Sequence, residues 1–239
     1  MTAMPAAGLM TADEFLALPQ APRHERWSLV EGELVMEQPL PSHQVACVEI
    51  LYALESWVRS RPGRGRALIP IDVELDERNI YAPDVLWYAE GRDPARANVR
   101  PSPIPDLAVE VRSPSTWRYD IGAKKSVYER RGLPELWLVD TAASVVLVFR
   151  RSATGAPRFD VALELTAADS LESPLLPGSR CRLRGSSRTR TRRAGPARRS
   201  AARPAPPAAR RARPAASRCP AVSPGTRRRR PPPRHRRRP

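Results

Sequence analysis

Two short and nearly continuous apolar stretches constrain the fold of this chain more than any other feature. They are VLWY at 85–88 and LAVEV at 107–111. Strands without apolar–polar alternation are typical of sheets that are covered on both faces. Helical patterns lie before and after these stretches. We therefore expect an α/β (α+β) fold in which a mixed central sheet is flanked by helices.

Local signals predict elements at the beginning of the chain. Thr11 and Glu14 fit a capping box, which indicates a short helix through residues 15–18. Two apolar stretches then meet at Glu31-Gly32, which is typical of a β-hairpin. In the segment 41–60, apolar residues recur every three or four positions and predict a long helix. Its expected apolar face is Val48, Leu51 and Leu54, flanked by Val45, Ile50 and Val58.

The second half of the predicted fold alternates strands with one helix. Strand-rich stretches lie at 67–75, 82–90 and 105–113, and a second hairpin is expected at 135–150. Between the last two, the segment 119–132 reads as a helix. We expect Asp120 to cap its beginning and Gly132, followed by Pro134, to end it.

Charged residues within these apolar elements suggest a site. Asp84 begins one buried strand and Glu110 lies inside another, and a buried charge is costly unless a partner or a metal compensates it. Carboxylates on neighbouring strands repel each other unless a cation lies between them. Hard oxygen ligands, completed by water, favour magnesium over zinc or calcium. Taken alone, Asp84 also fits a carboxylate that caps a turn.

Lys124 is the third candidate. On a helical wheel it falls in the apolar stripe formed by Ile121, Val127 and Tyr128, whereas Lys125 lies about 90° away. We expect Lys124 to point toward the sheet and Lys125 toward its edge. A lysine beside a metal can neutralise a phosphate oxygen. Alternatively, Lys124 extends past the core or pairs with Asp120 one turn earlier.

Several of these motifs occur together at spacings that resemble a known family. Pro83-Asp84, Glu110-Val111, Ser113-Pro114-Ser115, Asp120 with Lys124 and Tyr128, and the stretch 132–140 are similar to the Uma-type restriction endonucleases of the PD-(D/E)xK nuclease superfamily. The likeness runs from about residue 10 to residue 183. It implies a restriction-endonuclease-like fold in which Asp84, Glu110 and the Val111 backbone carbonyl bind Mg²⁺, for which Mn²⁺ can substitute. Lys124 would be catalytic.

The resemblance also implies supporting residues and departures. Arg112 stands where the superfamily usually has its lysine, two residues after the glutamate, and offers the same positive charge without being able to deprotonate. Ser28 replaces a glutamate common in the family, although Glu33 lies close by in the sequence. His43 matches a histidine at the start of the long helix and is expected to position a water or a phosphate.

The expected activity is magnesium-dependent endonucleolytic hydrolysis of DNA. A homodimer is compatible with such an enzyme. The alternative is a catalytically inactive nuclease-fold protein that binds nucleic acid or a protein partner, because a fold does not guarantee its chemistry. Ser28 and Arg112 favour this alternative. Magnesium binding, lost on Asp84→Asn, would distinguish the two.

Composition divides the chain at about residue 183. Of the 41 Lys and Arg residues, 20 lie from Arg184 onward, where Asp and Glu are absent, so residues 1–183 hold 21 basic and 25 acidic residues. We expect 1–183 to form one domain and 184–239, which lacks large apolar residues, to be a disordered tail. Two interpretations of this Arg/Pro/Ala-rich tail stay open: a nucleic-acid-binding arm, or the product of a shifted reading frame.

Composition also bears on the compartment. No apolar run approaches the roughly 18 residues that span a bilayer, and the N-terminus lacks a signal-peptide pattern. We expect a cytoplasmic protein without membrane contact. Cys47, Cys181 and Cys219 lack paired spacing and are expected to be free thiols.

Overall fold

The computed structural model describes residues 8–19, 21–22, 25–94, 99–179 and 181. All of these fall within one compact unit, Met1–Arg190. Helices and strands alternate along it as follows: α1 (Ala12–Leu16), β1 (Arg26–Val30), β2 (Glu33–Glu37), α2 (Pro41–Arg59), β3 (Arg66–Leu68), β4 (Val73–Asp76), β5 (Asn79–Tyr81), β6 (Val85–Tyr88), β7 (Leu107–Val111), α3 (Trp117–Tyr119), a π-helical turn (Asp120–Lys124), α4 (Lys125–Arg130), β8 (Glu135–Asp140), β9 (Val145–Arg150) and β10 (Val161–Thr166).

The larger of two sheets has the strand order β10-β9-β8-β7-β6-β3. Strands β7 and β8 are parallel, and the other neighbouring strands of this sheet are antiparallel. Every residue of β6, β7 and β8 is buried. The mixed sheet with covered central strands is therefore confirmed, because helices and a second sheet exclude water from both faces.

The second sheet has the order β2-β1-β5-β4. Its β1–β2 hairpin turns at Glu31 and Gly32, whose φ angles of 51° and 84° are the left-handed values that a tight hairpin turn requires. The prediction of a hairpin here is confirmed. The stretch 67–75 was expected to be one strand but forms β3 and β4, which lie in different sheets. Pro70 separates them, since a proline cannot donate a ladder hydrogen bond.

Helix α2 covers one face of the six-stranded sheet. Ile50, Leu54 and Trp57 are buried against a core that includes Val109 and Trp137. The expected apolar face is partly wrong: Val45 and Val48 are 61% and 63% exposed. The sequence carries two apolar stripes on this helix, and the one with the bulkier side chains packs on the sheet. Within the described part of the chain, no helix has the length and apolarity needed to cross a membrane.

The predicted helix at 119–132 is interrupted. Asp120 does not cap its beginning but lies inside a continuous helical run with φ −65° and ψ −46°. Because the π-helical turn changes the register, Ile121 is 46% exposed and leaves the apolar stripe, whereas Val127 and Tyr128 stay buried. Gly132, with a φ of 84°, follows the end of α4 as expected.

Strand β10, whose residues are all exposed or half-buried, was not predicted. Cys47 and Cys181 are free thiols, as expected. The prediction of a disordered tail at 184–239, together with Cys219, lies outside the described residues.

Candidate functional site

The two predicted carboxylates lie side by side on the central sheet. Asp84 directly precedes β6, and the antiparallel register that pairs Val85 with Val109 places it opposite Glu110 on β7. The Asp84 backbone N–H donates to the Val109 carbonyl at 2.9 Å, which extends the ladder to this position. Directly opposite side chains point to the same face of a sheet. Both carboxylates are 3% exposed, so they share one buried space.

Lys124 reaches the same space from the π-helical turn. It is 1% exposed, and its Nζ lies 2.9 Å from Asp120 Oδ1, 3.5 Å from Glu110 Oε1 and 3.6 Å from Glu37 Oε1. Burial lowers the pKa of a lysine, but these three carboxylates reverse the effect and hold the pKa of Lys124 well above its ordinary value. Lys124 therefore points into the fold and is charged.

Three groups hold the Asp84 carboxylate. Its Oδ2 accepts a hydrogen bond from the Val111 backbone N–H at 2.7 Å and faces His43 Nε2 at 3.2 Å. Its Oδ1 contacts the Arg26 guanidinium, yet no described donor gives this buried oxygen a hydrogen bond of regular geometry. Burial raises the pKa of Asp84, but the His43 hydrogen bond and the Arg26 charge outweigh it and lower the pKa.

Glu110 has the opposite electrostatic balance. Tyr128 donates its hydroxyl to Glu110 Oε1 at 3.0 Å, and Lys124 approaches the same oxygen. Burial nevertheless raises the pKa of Glu110 to about 8, and the negative charges of Asp120 and Asp84 oppose its ionisation further. At neutral pH this carboxyl therefore keeps its proton unless another cation replaces it.

The charges of this cluster would not balance if every carboxylate lost its proton. Four buried carboxylates, from Asp84, Glu110, Asp120 and Glu37, surround the cations of Lys124 and Arg26. With all four ionised, the two cations leave the group short of two positive charges, His43 apart. One divalent cation would supply that charge. The oxygen donors of Asp84 and Glu110 are of the kind that Mg²⁺ prefers.

The structure places the supporting residues differently. Arg112 Nη1 contacts both carboxylate oxygens of Asp140 at 2.7 and 3.0 Å, so its charge is engaged at the end of β8. Glu33 is exposed and accepts a 3.4 Å hydrogen bond from the Tyr119 hydroxyl. His43 does reach the cluster, through Asp84. For Val111, the described contact to Asp84 is made by the backbone N–H, and its carbonyl as a metal ligand stays a prediction.

Two charged residues of the cluster were missed from the sequence. Arg26 and Glu37 face each other at the open end of the β1–β2 hairpin, where Arg26 Nη2 and Glu37 Oε2 are 3.1 Å apart. Glu37, rather than Glu33, brings the additional carboxylate to Lys124. Period-two alternation along the hairpin places Arg26 on the face of the buried Ser28 and Val30. That alternation was the available signal.

Comparisons with known proteins agree with this architecture. The Uma2 family model, described as "putative restriction endonuclease", matches residues 12–184. The crystal structure of a "putative nuclease belonging to DUF820" from Anabaena variabilis has a similar fold, with a TM-score of 0.57 and 19% sequence identity over 70% of this chain and 91% of that chain. No curated protein is significantly similar. The predicted nuclease-type fold is thereby confirmed.

Proposed function

Because the chain belongs to the Uma2 family of restriction-endonuclease-like proteins, we propose that it is a magnesium-dependent endonuclease that hydrolyses DNA phosphodiester bonds. Family and fold support a nuclease function. The observation that carries the proposal is that Asp84 and Glu110 lie opposite each other in a buried space where the carboxylates, once ionised, would exceed the charges of Lys124 and Arg26 by two. A divalent cation bound there acidifies a water molecule and neutralises a phosphoryl oxygen.

Asp84 and Glu110 would hold this cation from the same face of the sheet. The Val111 N–H and His43 fix the orientation of Asp84, and the Tyr128 hydroxyl fixes that of Glu110. Such partners position metal-binding carboxylates and increase their affinity. With a cation bound to the two carboxylates of this pair, Arg26 would still form its ion pair with Glu37. Lys124 would still form its ion pair with Asp120, so neither side chain would lose all of its counterions.

Lys124 would stabilise the charge that builds on the phosphoryl group. Its Nζ is fixed 3.5 Å from Glu110, which places a permanent positive charge beside one of the two metal-binding carboxylates. Such preorganised charge is effective because the protein need not reorganise during the reaction. Mn²⁺, which accepts the same oxygen ligands, should also support activity.

A plasmid-nicking assay with Mg²⁺ tests the proposal. Asp84→Ala and Glu110→Ala should each lower the rate by at least about a hundredfold, because the loss of one electrostatic stabiliser at a reacting centre typically costs that much. Glu33→Ala, an exposed carboxylate on the β1–β2 hairpin, is the matched control and should retain the rate. Wild-type nicking that survives Asp84→Ala and Glu110→Ala would reject the assignment.

A second function is favoured by two observations. Ser28, at a position where the family resemblance implies a glutamate, is 4% exposed and offers no carboxylate, and Arg112 is engaged by Asp140. These features suit a nuclease-fold protein that binds nucleic acid without cutting it. Calorimetric titration distinguishes the two functions. If the protein is an enzyme, wild type should bind Mg²⁺ and the Asp84→Asn variant should lose that binding. If the protein only binds DNA, the substitution should cause no such loss of Mg²⁺ binding.

A further inference from the structure

A second set of ligand atoms lies between Asp84 and helix α2. Helix α2 presents His43 and Cys47 one turn apart, and one ligand atom from each of these residues and from Asp84 lies within 4.8 Å of the others. His43 Nδ1 is 3.5 Å from Cys47 Sγ, and His43 Nε2 is 3.2 Å from Asp84 Oδ2. A single ion can take only one of the two His43 nitrogens, so the set available to it is one nitrogen, the Cys47 sulfur and one Asp84 oxygen, which lie within 4.8 Å of one another. The nuclease proposal uses oxygen donors alone.

The spacing fits a tetrahedral transition metal. With zinc–sulfur and zinc–nitrogen bonds of about 2.3 and 2.0 Å, neighbouring ligands in a tetrahedral site lie roughly 3.3 to 3.6 Å apart. The contact of 3.5 Å between Cys47 Sγ and His43 Nδ1 is in this range. The full set, spread over 4.8 Å at most, needs a contraction of about 1 Å to meet that tetrahedral spacing. Three protein ligands leave a fourth position for water.

The ligand types select a different ion from magnesium. Thiolate and imidazole favour zinc and cobalt, whereas Mg²⁺ avoids sulfur. Cysteine binds such an ion as the thiolate, so its thiol proton must leave. Binding of the ion by the thiolate releases this proton to solvent, without any oxidation or reduction. When Asp84 binds the ion, Arg26 loses its contact with Asp84 but keeps its ion pair with Glu37 at 3.1 Å.

We propose that a thiophilic divalent cation such as Zn²⁺ binds His43, Cys47 and Asp84 and thereby withdraws Asp84 from the carboxylate pair that it forms with Glu110. The binding itself does not depend on the proposed function. Its consequence, inhibition of magnesium-dependent cleavage by zinc, does rest on that function. Two dications that share the single carboxylate of Asp84 repel each other, so the zinc-bound protein should bind Mg²⁺ more weakly.

Cobalt titration of the full chain tests the binding. Wild type should develop the near-ultraviolet absorption of thiolate-to-cobalt charge transfer, and Zn²⁺ should abolish it by displacement. Cys47→Ser should lose the band and bind Co²⁺ at least roughly tenfold more weakly, because a hydroxyl is a poor substitute for a soft thiolate. Cys181→Ser and Cys219→Ser are the matched controls and should retain the band. A second variant, Cys47→Ala, gives the same test if the serine variant misfolds.

The outcomes separate binding from inhibition. A wild-type spectrum without the band, or a band that persists in both Cys47 variants, overturns the site. In the nicking assay, each protein is compared with its own zinc-free rate, and the zinc concentration for half-inhibition should rise at least about tenfold in Cys47→Ser. Equal inhibition of wild type and Cys47→Ser by zinc would contradict the proposed withdrawal of Asp84. A protein that does not cut DNA with Mg²⁺ refutes the proposed function, while the cobalt spectrum still decides the binding.

Discussion

Two buried glutamates on adjacent parallel strands face very different surroundings. Glu110 on β7 and Glu135 on β8 are 3% and 1% exposed, and burial raises the pKa of both. Glu135 accepts hydrogen bonds from Trp137 Nε1 at 2.6 Å and from Ser173 Oγ at 2.7 Å, both neutral donors. Glu110 instead shares its space with Lys124 and further carboxylates.

Their positions explain this difference. The register aligns Glu135 with Leu107 at the beginning of β7, whereas Glu110 aligns with Leu138, three residues further along β8. Successive residues of a strand alternate between faces, so Glu135 points to the side of α2 and Glu110 to the side of α4. Burial of a carboxylate is thus not enough to indicate a functional site. The distinguishing feature is that Glu110, unlike Glu135, belongs to a group of carboxylates that outnumber the cations beside them.

The largest expected effect is the loss of Lys124. Lys124→Ala leaves Asp120, Glu110 and Glu37 without their shared cation, and breaking a buried ion pair typically costs about 3–5 kcal/mol of unfolding free energy. The measurement is urea-induced unfolding at neutral pH without metal. Lys125→Ala, a neighbouring lysine whose Nζ lies 4.6 Å from the Phe149 ring centroid, is the control and should cost about 1 kcal/mol or less. Equal losses in the two variants would contradict the charged cluster.

A smaller effect distinguishes the two glutamates by activity. Glu110→Gln should lower magnesium-dependent nicking by at least about a hundredfold, or roughly 2.7 kcal/mol of barrier, because an amide cannot supply the charge that the cation needs. Glu135→Gln should keep the rate, since its donors on the side of α2 have no part in the proposed chemistry. Plasmid nicking under identical conditions measures both. If Glu135→Gln is as damaging as Glu110→Gln, the contrast between them is false.

Sequence reasoning reached the parts of this molecule that local patterns determine. The capping box of α1, the Glu31-Gly32 turn and the apolar strands around Glu110 follow from neighbouring residues. The helical wheel directed Lys124 toward the sheet, and the family resemblance implied its catalytic role. Strand β10 was missed because an edge strand with little burial has a weak apolar pattern.

The rest of the site depends on tertiary contacts. Arg26 and Glu37 belong to the smaller sheet, and only the packing of that sheet against the π-helical turn brings them to Lys124. Val48 was assigned to the buried face of α2 because the spacing does not distinguish two apolar stripes on one helix. Which stripe is buried depends on the surface that the helix packs against, and the sequence of the helix does not contain that information.

A third variant tests the neutral donors of Glu135. Trp137→Phe keeps the ring in the core but removes the Nε1–H donor, and an unsatisfied buried acceptor costs about 1–3 kcal/mol. The unfolding free energy should fall by that amount. Trp87→Phe, which removes an indole hydrogen bond to the Arg64 carbonyl at 2.9 Å, is the comparison. Because that carbonyl lies in a half-exposed loop and can accept a hydrogen bond from water instead, removal of the Trp87 hydrogen bond should cost less unfolding free energy. A larger loss in Trp87→Phe would mean that Glu135 does not need its donor.

The smallest expected effect is a difference in pH dependence. In the metal-free protein the pKa of Glu110 is raised to about 8, so its contribution to stability is complete below its ordinary pKa and is lost as the pH rises through 8. Wild type should therefore lose stability relative to Glu110→Gln between about pH 5 and pH 9. Added Mg²⁺ should reduce that loss, because the cation replaces the proton.

The raised pKa of Glu135 has the same sign, but Mg²⁺ should leave the difference between wild type and Glu135→Gln unchanged. Unfolding curves at several pH values, with and without Mg²⁺, measure both differences, and an identical magnesium response at the two positions would show that neither glutamate binds the ion.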